Sequence, residues 1–196
     1  MAKKKTNPHR QPVKAPSREE ILTQVTVEMT HRAWAAFLGS VIDFSDMTTE
    51  KILNIWHDAN NYSEQLATVP DMEATLRDVD DIIGMHMPYA VIQAPDIKTQ
   101  GDLNQFRRKL EKKCLYSAFA LMAKPMVVSG KYDEDFLKRL FHKAVSLEED
   151  VANKAIKIWE ITDALEEEFG LLLISEDGNT HLRRKEDTEK TEKQVS

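Results

Sequence analysis

The sequence predicts an all-α protein, a helical bundle of two related three-helix units with disordered N- and C-terminal tails. Glycine and proline are scarce, with 6 and 7 in 196 residues, and three prolines lie among the first sixteen residues. Apolar residues recur at helical spacing through the rest of the chain. We therefore expect a basic tail over 1–17, a first unit over 18–84, a linker over 85–101, a second unit over 102–175 and a charged tail over 176–196.

The first unit is predicted to hold three helices. Ser17 and Glu20 form the capping-box pattern at the start of the first, which then carries a clean apolar stripe. A second amphipathic stripe follows the turn FSDMTTE. Pro70 suits the first turn of a third helix, and Gly84 suits the left-handed position just after its end.

The second unit follows a linker that contains the β-prone segment YAVI, for which one short strand is an alternative. Its first helix starts near Asp102 and is expected to stop at Pro125. Asp133 caps the next helix, and the chain then continues helical to Gly170. The pattern leaves open whether this last stretch breaks near Ser146 or near Asn153.

The two units align when the chain is shifted against itself by about 85 residues. The shift places Trp56 and His57 over Phe141 and His142, and the turn before each pair has the same length. Because every amphipathic helix shares the same period, two coincidentally similar hairpins remain the alternative. We interpret Trp56, His57, Phe141 and His142 as the core of a tandem repeat whose units bury their apolar faces against one another or in a homodimer.

Charge is distributed unevenly behind the formal net charge of -6. Residues 1–18 carry +6 with no acidic side chain, whereas residues 19–175 carry -11. An acidic body argues against broad nucleic-acid binding, because such binding depends on Lys and Arg that neutralise phosphates. The basic tail is the exception and is an alternative nucleic-acid contact.

The chain shows no sign of a membrane or secreted protein. Its apolar runs are far shorter than the roughly 20 residues of a membrane-spanning helix, and the basic start lacks a secretory signal pattern. The single Cys114 cannot form an internal disulfide and lies on an apolar stripe, so it is expected to be an inert core residue. We therefore expect a cytoplasmic protein without membrane contact.

Six histidines suggest a metal site. The order of His31, His57-Asp58 and the acidic cluster of Asp78, Asp80 and Asp81 resembles the ligand order of HD-type phosphohydrolases. Such a site needs side chains from several helices to converge on one metal. The repeat keeps His142 but places Lys143 after it, which would repel a cation. The alternative is that the histidines border the core and each donates a ring hydrogen.

Carboxylates offer a second enzymatic hypothesis. Glu148, Glu149, Glu160 and Asp163 resemble the magnesium-binding signature of all-α nucleoside triphosphate pyrophosphohydrolases. On one continuous helix, however, the two pairs would lie about 15 Å apart along the axis. Ala152 also occupies the usual position of a third glutamate. Solvated helix faces are the alternative, and we assign no cofactor and no catalytic residue.

One cationic stretch stands out in the acidic body. Most of it lies on the helix face opposite the apolar stripe, which is typical of a solvated surface. A contact with an acidic partner or with phosphate is the functional alternative. The residues of this basic face are Arg107, Arg108, Lys109, Lys112 and Lys113.

The segments IDFSDMTTEKILNIWHDAN and VVSGKYDEDFLKRLFHKAV, each followed by an acidic helix, carry a resemblance to known proteins. They resemble small helical proteins of unknown function from phages and mobile elements of Gram-positive bacteria. The resemblance implies an accessory or anti-host factor that acts by binding. We therefore predict a non-enzymatic protein-interaction module, with a nucleic-acid-binding accessory protein and a Mg-dependent pyrophosphohydrolase as the alternatives.

Overall fold

A computed structural model of the chain describes residues 17–68, 72–85 and 96–188. The described part is predominantly helical, which confirms the all-α class. The elements are α1 (Arg18–Ile42), α2 (Thr49–Thr68), α3 (Met72–Ile83), α4 (Gln100–Ser129), α5 (Glu134–Ala152), α6 (Ile158–Phe169), β1 (Leu171–Glu176) and β2 (Asn179–Arg184). The predictions for residues 1–16, Pro70, the YAVI segment and residues 189–196 lie outside the described residues.

Local side-chain chemistry fixes the helix ends. Ser17 and Glu20 exchange the two hydrogen bonds of a capping box at the start of α1, as predicted. Asp133 accepts a hydrogen bond from the backbone N–H of Phe136 and caps α5, also as predicted. Gly84 and Gly170 adopt φ angles of +65° and +64° after α3 and α6, a left-handed conformation that glycine adopts without strain.

Two parallel helices form the centre of the bundle. α1 and α4 run in the same direction, since Glu28 pairs with Arg107 at one end and Phe37 stacks on Phe119 further along, with ring centroids 5.4 Å apart. α1 also packs against α5 and α6, and α4 packs against α2 and α3. The central helices therefore supply much of the buried core, including the fully buried Phe37 and Phe119.

The expected stop at Pro125 is wrong. α4 continues past Pro125 to Ser129, and Gly130 ends it in a left-handed conformation. A proline inside a helix removes one backbone hydrogen bond and costs about 3 kcal/mol. Beyond Pro125, burial of Met126 and the packing of Val127 against the core help to offset that cost, because these two side chains reach the core only if the helix continues.

The expectation of a disordered tail from residue 176 onward is also wrong for residues 176–184. β1 and β2 form an antiparallel hairpin, with Leu173 paired to Leu182 in register. Asp177 and Gly178 occupy its two-residue turn with φ angles of +51° and +80°, as a type I′ turn requires. Leu171, Leu173 and Leu182 are buried in the main core, so the hairpin completes it.

The helical stretch that begins at Glu134 breaks near Asn153, which is one of the two predicted positions. α5 ends at Ala152 with Asn153 as its cap, and Lys154 adopts a positive φ of 61° before α6 begins.

Within the described ranges, each helix is either too short or too polar to span a membrane.

Candidate functional site

A large concavity lies between two helical turns. One wall is formed by the α1–α2 turn and α2, over residues 43–58, and the other by the end of α4, the α4–α5 turn and the start of α5, over residues 126–139. We call this space the hairpin cleft. Its volume of about 610 Å³ falls within the size range of ligand-binding pockets.

Aromatic side chains from both walls meet in the hairpin cleft. The ring of Phe44 lies 4.6 Å from that of Phe136, whose other neighbour is Tyr132 at 5.0 Å. The guanidinium carbon of Arg139 lies 5.6 Å from the centroid of Phe44. Burial raises the pKa of the Tyr132 phenol, so its hydroxyl stays protonated and able to donate at neutral pH.

The charges of the hairpin cleft are only partly neutralised. Lys51 pairs with Asp46 at 3.2 Å, which joins the turn to α2. Among the described residues, Asp58, Lys131 and Arg139 form no ion pair with an opposite charge. The wall from α4 and α5 therefore offers two cations that a ligand could reach.

A shallow groove adjoins the hairpin cleft and shares Asp58 and Ser129 with it. We call it the Val128 groove; it lies between α2 and α4, has a volume of about 480 Å³ and is also lined by Tyr62 and Pro125. Val128 is 76% exposed, although most large apolar side chains in the described part of the chain are buried. The two concavities thus form one continuous surface with an exposed apolar contact.

Three charged side chains form a second feature, buried between α1, α4 and α5. Arg32 Nη2 donates to Glu111 Oε1 at 2.7 Å and to Glu148 Oε1 at 2.5 Å. Glu148 is only 6% exposed. Burial, together with a hydrogen bond to Glu111, raises the pKa of Glu148 to about 8, although the charge of Arg32 lowers it. At pH 7 burial therefore favours the protonated form of the Glu148 carboxyl, although Arg32 lies beside it. We call these three side chains the arginine cluster.

The raised pKa of Glu148 makes the stability of the protein depend on pH. The carboxyl binds its proton more tightly in the folded chain than at its ordinary pKa of 4.5. Its stabilising contribution is therefore complete below about pH 4.5 and is lost as the pH rises to about 8. We expect the melting temperature to fall between pH 5 and pH 9, and Glu148→Gln to reduce that fall.

Thermal melts of both proteins across this pH range test the expectation. Glu149→Gln is the matched control, because Glu149 is the next residue on α5 and is exposed. The control should retain the wild-type pH dependence. Equal pH dependence in wild type and Glu148→Gln would contradict the assignment.

The histidine hypothesis finds no support in the described residues, where no group of three His, Cys, Asp or Glu side chains is placed to hold a metal ion. His57 and His142 are exposed rather than part of the core, which corrects their predicted placement. His57 Nε2 lies 2.9 Å from the Asn61 side-chain amide. His31 is partly buried, and desolvation lowers its pKa. By contrast, Trp56 is buried in the core.

The carboxylates of the pyrophosphohydrolase hypothesis lie on two helices, α5 and α6, rather than on one continuous helix. Glu148 is bound to Arg32, and Glu160 accepts a hydrogen bond from the backbone N–H of Lys157 at the start of α6. Glu149 and Asp163 are exposed. Two of the four carboxylates thus have structural partners.

The basic face lies on the N-terminal half of α4. Arg107 pairs with Glu28 of α1 at 3.2 Å, while Arg108, Lys109 and Lys112 are exposed. The neighbouring Cys114 is partly buried, and burial raises the pKa of its thiol. A raised pKa disfavours the reactive thiolate form.

Comparisons with protein-family models, with curated proteins and with solved structures return no match.

Sequence reasoning did not find the hairpin cleft or the arginine cluster. Glu148 gave one usable signal, because it falls seven residues after Phe141 and four after Ala144, on the apolar stripe of α5. A carboxylate in that position is expected to have a buried partner. Nothing in the sequence pairs Phe44 with Phe136, because 92 residues separate them.

Proposed function

We propose that this chain is a non-enzymatic protein-interaction module that binds a partner protein through the hairpin cleft and the Val128 groove. The exposure of Val128 beside an aromatic-lined cleft carries the proposal. Exposed apolar contacts next to concave, aromatic surfaces are typical of protein-binding sites. The resemblance to phage and mobile-element proteins adds that the partner belongs to the bacterial host.

The occupant we propose is a segment with an apolar side chain next to a carboxylate. The apolar side chain would pack against Phe44 and Tyr132, which are both partly exposed. The carboxylate would meet Lys131 and Arg139, two cations of the cleft that form no ion pair with a described residue. Arginine and tyrosine are enriched among residues that dominate binding energy, which supports this assignment.

We further propose that the cleft arose between two related units. The 85-residue shift aligns Trp34 and Trp56 with Phe119 and Phe141, and both pairs are in contact at a centroid distance of 4.8 Å. It also aligns α1, which packs against α5 and α6, with α4, which packs against α2 and α3. These correspondences support a duplication, in which the cleft would have formed where the two equivalent turns meet.

Charge reversal in the hairpin cleft tests the proposed function. Wild-type protein and a Lys131→Glu/Arg139→Glu variant would be used to capture partners from a bacterial lysate, and the captured protein would be purified for affinity measurement. We expect the variant to bind it at least about tenfold more weakly, because two charge contacts become repulsive. Both side chains are exposed, so a melting curve suffices to check folding.

The matched control is Lys109→Glu/Lys112→Glu, which makes the same charge change on the basic face of α4. This control should retain binding. Loss of the captured molecule in the control but not in the cleft variant would contradict the proposal. If the captured molecule were nucleic acid and its binding depended strongly on salt, the nucleic-acid alternative would replace the proposed function. Release of pyrophosphate that ends with Glu160→Ala/Asp163→Ala would favour the enzymatic alternative.

A further inference from the structure

Trp159 lies in the first turn of α6 and points away from the core. Its side chain is 54% exposed, whereas Trp34 and Trp56 are 7% and 8% exposed. α6 packs through Ile161 and Leu165, which are buried on its opposite side. The indole ring therefore contributes little to the core and presents a large aromatic surface to solvent.

Two carboxylates extend the same side of α6. Asp163 and Glu167 follow Trp159 at spacings of four and eight residues, which places all three on one stripe of the helix. Neither carboxylate forms an ion pair with a described residue, whereas the adjacent Glu166 pairs with Lys185 at 2.6 Å. We call Trp159, Asp163 and Glu167 the α6 stripe.

The indole ring is already close to a cation. Lys157 Nζ lies 5.5 Å from the ring centroid of Trp159, within the range of a cation–π contact. Tryptophan is the aromatic side chain that attracts cations most strongly. The α6 stripe thus combines an aromatic ring and two carboxylates, all of which favour positively charged ligands.

We propose that the α6 stripe docks a basic segment of a partner protein in an extended conformation. Residues four apart on a helix lie about 6 Å apart along its axis, so the stripe offers contacts at about 0, 6 and 12 Å. Alternate residues of an extended chain lie about 6.6 Å apart on one side. Three Lys or Arg residues at alternate positions would therefore contact Trp159, Asp163 and Glu167 in turn.

The negative charge of the chain favours a basic partner segment over a second copy of the same face. The body of the chain over 19–175 carries -11, so a second copy of the same face would be repelled. The surface is separate from the hairpin cleft, whose walls are formed by residues 43–58 and 126–139. The inference therefore does not depend on the proposed function and can fail or succeed by itself.

A synthetic peptide probes the α6 stripe directly. Fluorescein-labelled Gly-Arg-Ser-Arg-Ser-Arg would be titrated with the full chain, and binding would be followed by anisotropy. We expect saturable binding, weakened about fivefold by Trp159→Ala. Asp163→Asn/Glu167→Gln should weaken it by a similar factor, because two exposed charge contacts are lost. These residues are exposed, so a melting curve is expected to show intact folding.

The matched control is Glu64→Gln/Asp81→Asn, which removes two exposed carboxylates from α2 and α3. Binding by this control should stay within about twofold of wild type. Equal weakening in the control would overturn the proposal, since it would indicate general attraction to an acidic protein. A peptide with the same composition but three consecutive arginines should bind more weakly, and equal binding would overturn the extended register.

The N-terminal residues 1–16 are also basic and are the competing occupant. Iodide quenching of Trp159 fluorescence distinguishes them, because the other two tryptophans are buried. In a chain lacking residues 1–16, unchanged quenching and unchanged peptide affinity would support an external partner. Increased quenching together with severalfold tighter peptide binding would assign the surface to the chain's own tail and overturn the proposal.

Discussion

Replacing both Trp56 and Phe141 by serine is expected to unfold the protein. Trp56 and Phe141 are 8% and 5% exposed, and they contact Trp34 and Phe119 of the central helices. Loss of one large buried aromatic side chain costs about 3–5 kcal/mol. The combined loss is comparable with the whole stability of a typical domain, about 5–15 kcal/mol.

Circular dichroism during heating measures this effect. The double variant should show no cooperative melting transition at or above room temperature, because it is already unfolded there. Each single variant should melt at a clearly lower temperature than wild type. Val128→Ser is the control, because that side chain is 76% exposed and its loss should leave the transition nearly unchanged. A double variant with the wild-type melting temperature would show that the two aromatic contacts do not hold the bundle together.

Replacing Arg32 by methionine is expected to lower the free energy of unfolding by about 3–5 kcal/mol. Arg32 is the cation that both Glu111 and Glu148 contact, and its removal leaves a partly buried carboxylate without compensation. Methionine keeps a similar volume, so that the lost charge rather than a cavity dominates the change. Urea unfolding of wild type and variant measures the difference.

A second substitution separates the loss of charge from a general packing defect. Glu148→Met added to Arg32→Met removes the most buried carboxyl of the cluster and replaces it with an apolar side chain. At pH 9, above its raised pKa of about 8, Glu148 is ionised and forms a buried ion pair with Arg32. Replacement of a buried ion pair by apolar residues is often neutral, so the variants are compared at that pH. The double variant should therefore be more stable than Arg32→Met alone. A double variant that is less stable than the single one would contradict the electrostatic explanation.

The helices were predictable because their signals are local. Apolar spacing, the capping residues Ser17 and Asp133, and Gly84 and Gly170 at helix ends each act within a few residues of the backbone they control. The predicted helix end at Pro125 is wrong because the free-energy cost of a proline inside the helix is smaller than the gain from keeping the end of α4 in the core. That gain depends on helices distant in sequence.

The β1–β2 hairpin carries a local sequence signal at its turn. Asp177-Gly178 is a strong sequence pattern for a two-residue turn, and apolar residues precede it. The charged residues after Leu182 favoured a disordered tail, although strand β2 needs only one buried side chain on its inner side to pack. Neither strand shows apolar–polar alternation in its sequence, so the Asp177-Gly178 turn is the informative signal.

The candidate sites were less predictable than the fold. The basic face is visible in the sequence because its residues are neighbours along the chain. The residues of the α6 stripe are also close in sequence, since they lie within one helix. The hairpin cleft depends on the approach of residues about 90 positions apart, such as Phe44 and Phe136. The arginine cluster likewise joins three helices through Arg32, Glu111 and Glu148. Periodicity reveals which face is buried, but it does not reveal which face packs against which.

Hydrogen exchange of the full chain with and without its purified partner tests the central claim most directly, because it locates the bound surface. We predict slower amide exchange on binding in residues 43–65 and 124–139, which form the hairpin cleft and the Val128 groove. Unchanged exchange in both segments, with protection confined to the basic face over 107–113, would contradict the proposed binding site.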